Sequence, residues 1–192
     1  MPLSPTALAT GFLAPSMLSV GNTGSGVPPM VRGVAAGVTN WLTSQMQVLT
    51  VDTGVLGVGT GVAPLLVPPP LIIPAMLTGF ASAGLLGISA SVTATGLANG
   101  LSAGLLALAL VRTNHAGVGV GAGVAKFLGP PAKPAILQGL KASGLSGPNL
   151  PKLAQAIGTA LDIVFAALVM PVPIVGTPTP VSGSGVGIGQ IT

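Results

Sequence analysis

The stretch Pro74-Ala75-Met76-Leu77-Thr78-Gly79-Phe80-Ala81-Ser82-Ala83-Gly84-Leu85-Leu86-Gly87 recurs sixty residues later as Pro134-Ala135-Ile136-Leu137-Gln138-Gly139-Leu140-Lys141-Ala142-Ser143-Gly144-Leu145-Ser146-Gly147. A looser copy, Pro5 to Leu18 with Thr10-Gly11-Phe12 inside, stands near the beginning. Self-similarity at a fixed period is the mark of a repeat architecture. The expectation is three tandem repeats of about 60 residues, over 1–68, 69–131 and 132–192, packed together as one unit.

Each repeat is almost free of charge. The chain has six basic and two acidic residues among 192, with 30 glycines and 19 prolines, against a charged fraction of about 25% in ordinary soluble domains. A surface so poor in ionised groups predicts burial against sister repeats or against another molecule. Disorder is the competing reading of high Gly and Pro, but disordered chains combine low hydrophobicity with high net charge, and 49% of this chain is apolar. There is no Cys, hence no disulfide framework and no thiolate metal site. Met1-Pro2-Leu3-Ser4-Pro5 lacks the basic start and apolar run of a signal peptide.

Within each repeat the spacing predicts one helix, near 33–48, 94–111 and 151–169. Val34/Val38/Leu42, Leu97/Leu101/Leu105 and Leu153/Ile157/Leu161 fall at i, i+4 and i+8 and align as one apolar stripe. Small residues keep their own register beside it: Gly33 and Gly37, then Gly96, Gly100 and Gly104, then Ala156 and Ala160. Gly in a helix interior costs about 1 kcal/mol relative to Ala. A row of them at four-residue spacing predicts a helix-packing interface in which another backbone comes close.

A glycine ladder follows each helix: Gly57-Val58-Gly59-Thr60-Gly61-Val62-Ala63, Gly119-Val120-Gly121-Ala122-Gly123-Val124-Ala125, and Gly183-Ser184-Gly185-Val186-Gly187-Ile188-Gly189. Extended, such a run would put Gly on one face; as a connector it would be a loop, and the sequence leaves the two open. Pro68-Pro69-Pro70 and Pro130-Pro131 then read as extended spacers. The expected fold class is mainly α with Gly-rich extended segments, each repeat being helix, Gly ladder and Pro spacer.

Chemistry is harder to find. The Gly-x-Gly runs lack the preceding strand, following helix and downstream acid of a dinucleotide site, and no phosphate-loop Gly-Lys-Ser/Thr is present. His115, the single histidine, aligns with Asp52 in the repeat register. A general-base pair can be drawn from them, but no third partner is evident, and neither a catalytic residue, a metal site nor a cofactor is expected. Lys126, Lys133, Lys141 and Lys152 cluster around the start of the third repeat as a possible basic contact. Without Arg or interleaved aromatics they favour an acidic protein partner or a solvated face over nucleic acid.

Leu3-Ser4-Pro5-Thr6-Ala7-Leu8-Ala9-Thr10-Gly11-Phe12, the charge-poor Gly/Ala/Val body and the Gly185-Val186-Gly187-Ile188-Gly189 tail together resemble small Gly/Ala-rich virion structural proteins of large contractile-tailed bacteriophages. The resemblance implies a non-enzymatic assembly component of a tail or baseplate, located in the virion. It would make permanent contacts with other virion or assembly proteins, in a symmetric oligomer or ring. The alternative is a small membrane-active or pore-forming protein with Gly-rich helices, so a membrane contact stays open. Against it, the candidate spans are broken by prolines, or by Asn99, Gln155 and Asp162.

Overall fold

The computed structural model describes residues 4–44, 47–55, 57–64, 68–108, 110–117, 120–127, 132–167, 169–177 and 183–190. They are mainly helical. In chain order the elements are α1 (Pro5–Ala7), a π-helical stretch (Leu8–Leu13), α2 (Ala14–Ser19), α3 (Val27–Ser44), β1 (Gln47–Val55), β2 (Gly57–Pro64), α4 (Pro69–Ser82), α5 (Ile88–Leu108), β3 (Leu110–Gly117), β4 (Val120–Phe127), α6 (Ala132–Ala142), α7 (Leu150–Ala167), β5 (Val169–Thr177) and β6 (Gly183–Gln190). Among the described residues no helix is long and apolar enough to cross a membrane.

Two helices stand where one per repeat was expected. In the middle of the chain the additional helix starts at a proline cluster. Pro68 is the N-cap of α4, and Pro69 and Pro70 are its first two residues, so this segment is a helix start and not an extended spacer. The first-turn N–H groups of a helix have no intrahelical partner, and a fixed φ near −65° already suits the helix. Pro74 lies deeper inside α4 and removes one backbone bond. The corresponding Pro130-Pro131 spacer lies outside the described residues, with α6 beginning at Ala132.

The first helix starts on a cap, the Ala7 amide donating to Ser4 Oγ at 3.1 Å. It then widens into π geometry over Leu8–Leu13 just ahead of Pro15. Pro15 has no N–H to offer the Gly11 carbonyl and its ring crowds that group, so the turn before it opens.

All three helical hairpins turn in the same way. Gly84 has φ +79° and donates to the Ala81 carbonyl, while the Leu85 amide donates to Phe80 O at 2.9 Å. This is the Schellman ending, which favours Gly because the turn needs a left-handed residue. Gly144 and Leu145 repeat it onto Lys141 and Leu140, and Gly21 and Asn22 repeat it onto Leu18 and Met17. A second positive-φ glycine follows three residues on, at Gly24, Gly87 and Gly147.

The turns set a register that differs from the sequence pattern at two places. Ser16-Met17, and not Gly11-Phe12, occupies the place of Gly79-Phe80 and Gly139-Leu140. In α7 the residue matching Val34 and Leu97 is Ile157, one helical turn beyond Leu153. Burial agrees, since Val34, Leu97 and Ile157 are all inaccessible while Leu153 is partly exposed.

The helices close a ring. α3 packs on α4, α4 on α5, α5 on α6, α6 on α7, and α7 returns to α2 and the π-helical stretch, which also rests on α3. Neighbours run antiparallel, so the hairpin turns gather at one end and the strands leave from the other. The largest buried side chains are Trp41 and Phe80, joined by Leu8, Leu13, Met17, Leu42, Ile72 and Met76. Trp41 occupies a place taken by Gly104 in α5 and Val164 in α7, so one large ring fills the interior where its counterparts are small.

The strands form a closed barrel in sequence order, β1 to β6, with every neighbour antiparallel. Closure gives each described strand a hydrogen-bonded neighbour on both sides. The longest ladders join strands of different hairpins. β2 pairs β3 from Gly57↔Gly117 to Pro64↔Leu110, β4 pairs β5 from Val120↔Val175 to Lys126↔Val169, and β6 pairs β1 from Gln190↔Gln47 to Gly183↔Gly54. Within hairpins, pairing is confined to one end, as between Asp52↔Gly61 and Val55↔Val58. The β5–β6 ladder starts at Ile174, past Pro171 and Pro173. Two prolines of the same parity withdraw two N–H groups from one side of a strand.

Trp41 is completely buried, and Trp41→Ala should destabilise the chain by about 3–5 kcal/mol. A urea titration followed by circular dichroism measures it. A loss under about 1 kcal/mol would mean that the tryptophan is not a core element.

Candidate functional site

The closest interhelical approach is built from backbone. A Cβ on Gly79 of α4 would fall on the amide nitrogen of Gly37, 2.5 Å from Gly33 O and 2.7 Å from Gly37 Cα. Seen from α3, a Cβ on Gly37 would lie 2.8 Å from Met76 Cα, and one on Gly33 would meet the Phe80 ring at 2.5 Å. α5 and α6 repeat the arrangement. A Cβ on Gly139 would strike Gly96 O and stand 2.5 Å from Gly100 N, and one on Gly100 would lie 2.6 Å from Ile136 Cα and 2.9 Å from Ala135 O. Real Cβ atoms do not sit at such distances, so only Gly fits at these contacts.

The third junction is made differently. By the register of the turns, Ala156 and Ala160 of α7 correspond to Gly33/Gly37 and Gly96/Gly100, and Ser16 corresponds to Gly79 and Gly139. Ala156, Ala160 and Ser16 are all buried. Three Cβ atoms hold these backbones apart, and a cleft of about 420 Å³ opens nearby between the α2–α3 and α6–α7 turns, lined by Met17, Asn22, Val27, Met30, Asn149 and Leu153 among others. The small residues therefore divide into two tight junctions and one looser seam between the first and last parts of the chain. Gly104 is buried in α5 near the strand end.

Sequence reasoning named one side of each tight junction and missed the other. Gly79 and Gly139 had a signal, being fixed points of the repeated Pro74 and Pro134 stretches. Gly158 was also missed; a Cβ there would lie 2.8 Å from the Lys133 backbone, closing α7 onto α6 within one hairpin. Gly11 belongs to the repeated stretch as read from sequence, yet nothing lies within 4 Å of where its Cβ would be.

The remaining candidates are dispersed. Asp52 is in β1 opposite Gly61, Gly61 is opposite Thr113, and His115 lies two residues further along β3. Strands two apart are separated by about 10 Å, so the repeat register does not bring Asp52 and His115 backbones together as neighbours. The four lysines also part company. Lys133 starts α6 near the strands, Lys141 lies in the last turn of α6 and Lys152 in the first turn of α7, both at the opposite end of the bundle, and Lys126 is in β4. Among the described residues no group of three or more His, Asp or Glu could hold a metal ion.

Two further clefts flank the first hairpin. One of about 400 Å³ is lined by Ala9, Ala14, Leu18, Val27, Val31 and Arg32, with other residues, and one of about 250 Å³ adds Thr6, Ser82 and Ala83 around the same Arg32. Neither contains an acid or a nucleophile paired with a base. Their walls suit apolar packing, and the organised feature of the molecule is its set of backbone-close junctions. Compared with protein-family models, curated proteins and solved structures, the chain matches none.

The two environments of glycine give opposite expectations. Gly79→Ala and Gly139→Ala should each cost about 1–3 kcal/mol through overpacking against a backbone that cannot step aside. Gly11→Ala, in open space, should be neutral or stabilise by up to about 1 kcal/mol. Urea midpoints of the three variants decide it, and a neutral Gly79→Ala would remove the close-packing argument.

Proposed function

We propose that the chain is a non-enzymatic structural component of a large symmetric assembly, a virion protein of a bacteriophage tail or baseplate, and that it is a tandem triplication. The observation that carries this reading is the order of its elements. A helical hairpin followed by a strand hairpin occurs three times, with α4 starting at Pro69 and α6 at Ala132, and the three sets close one helical ring and one barrel. Such a chain supplies by itself an approximate three-fold axis.

A pseudo-three-fold monomer fits where a true three-fold or six-fold assembly comes to a point on its axis, because it offers equivalent surfaces to equivalent neighbours. The scarcity of charge supports permanent contacts, since a surface that is never solvated needs few ionised groups. Partners of this kind are other assembly proteins. In this reading the interfaces are the working parts of the chain.

The test is the location and copy number of the protein. Density-gradient fractions of detergent-washed particles should contain it in far smaller amount than the ring-forming proteins, as expected of an axial component, and Gly100→Leu should abolish its incorporation. Recovery only in detergent micelles, or a copy number equal to that of the ring subunits, would overturn the axial assembly role.

A further inference from the structure

The end of the bundle that carries the hairpin turns has its own chemistry. The α4–α5 turn exposes Leu86 at 77% and Ile88 at 85%, the two most exposed large apolar side chains among the described residues. Gly84 and Gly87, both at positive φ, bracket Leu86 and hold it out on a tight turn. Leu18, at the end of α2, adds a third aliphatic group at the same end, 64% exposed. The matching turns carry Thr23 and Ser25, or Ser146 and Pro148, so Leu86 and Ile88 are not demanded by the turn itself.

Cations share this end of the bundle. Lys141 lies in the last turn of α6 and Lys152 in the first turn of α7, both exposed. Arg32 shares a cleft with Ser82 and Ala83, the residues that lead into the α4–α5 turn. Lys152 sits against the positive end of the α7 dipole, so helix stability does not explain it. None of these three cations has an ion-pair partner among the described residues. The acid described on the helices, Asp162, is toward the strand end of α7, leaving the turn end positive with no described acid to offset it.

We infer that this end of the bundle docks on an anionic phospholipid surface, Leu86 and Ile88 entering the interface while Lys141, Lys152 and Arg32 meet the headgroups. Exposed aliphatic groups on a rigid turn supply the apolar contact, and basic residues at the same level supply attraction to anionic lipid. A protein partner would need a matching apolar socket ringed by acids, whereas a lipid surface offers both features without shape matching. The inference goes beyond the assembly role and does not depend on it. A peripheral contact of this kind needs no membrane-spanning helix.

Co-sedimentation of the full chain with vesicles of phosphatidylcholine, alone or mixed with phosphatidylglycerol, tests it. The wild type should bind the anionic vesicles more tightly. L86S/I88S should weaken binding to both compositions, by about tenfold or more for the pair. K141Q/K152Q should weaken binding to the anionic vesicles alone, by about fivefold per lysine. All four positions are exposed, and circular dichroism verifies that both variants keep the fold. Absence of vesicle binding, or binding that neither variant changes, would overturn the proposal. So would an L86S/I88S variant that loses self-association in sedimentation velocity while still binding vesicles, since the tip would then be a contact between copies of the chain.

Discussion

The structure depends on one kind of contact, the passage of one helix backbone directly across another at glycine. At Gly79 against Gly33 and Gly37, and at Gly139 against Gly96 and Gly100, no side chain separates the two helices. Both junctions join helices from different hairpins, and the long barrel ladders likewise run between strands of different hairpins. A hairpin removed from this arrangement would lose its tightest helix contact and most of its strand pairing together. Ring and barrel are thus closed by the same set of neighbours, and a fault at one glycine is felt in both.

Much of this was legible because a packing constraint had repeated itself in sequence. Gly33/Gly37 and Gly96/Gly100 stand out at four-residue spacing, which an isolated helix would penalise. The small partner residues were less visible because each interrupts its helix once. The hairpin turns were there to be read as Gly-x-x-Gly at 21–24, 84–87 and 144–147, but left-handed φ is a property of the turn, and glycine also serves the junctions. Pro68-Pro69-Pro70 misled for a physical reason: proline is equally at home in an extended spacer and in the first turn of a helix, and only the apolar run that follows favours the helix. The register of the first hairpin is hidden in the sequence because Pro15 widens the helix ahead of it and Ser16 stands where a glycine is expected.

The barrel was beyond local reading altogether. β2 is flanked by β1 and β3, and its fuller ladder is with β3, some fifty residues along the chain; nothing inside Gly57–Pro64 specifies that partner. The Asp52 and His115 alignment shows the converse error. Residues equivalent under approximate three-fold symmetry are related by rotation, so they meet only near the axis. On a six-stranded barrel, equivalent strands are always two apart, and equivalence in sequence works against contact.

Differences among the three hairpins therefore carry information that their shared features do not. The junctions, turns and ladders are held similar by packing, and any change there has to be absorbed by a neighbour. Ser16, Ala156 and Ala160 illustrate this: together they replace a tight junction by a looser seam where the helices of the first and last hairpins meet. Exposed turn residues face no such demand: one turn carries Leu86 and Ile88 where the others carry Thr23 and Ser25, or Ser146 and Pro148. Lys141 and Lys152 share this freedom, standing where the other hairpins have Leu18 or Ala81 and Pro29 or Val92. The three hairpins share the turns that closure of ring and barrel requires, and the departures at one exposed end are the part of the sequence that closure leaves unexplained.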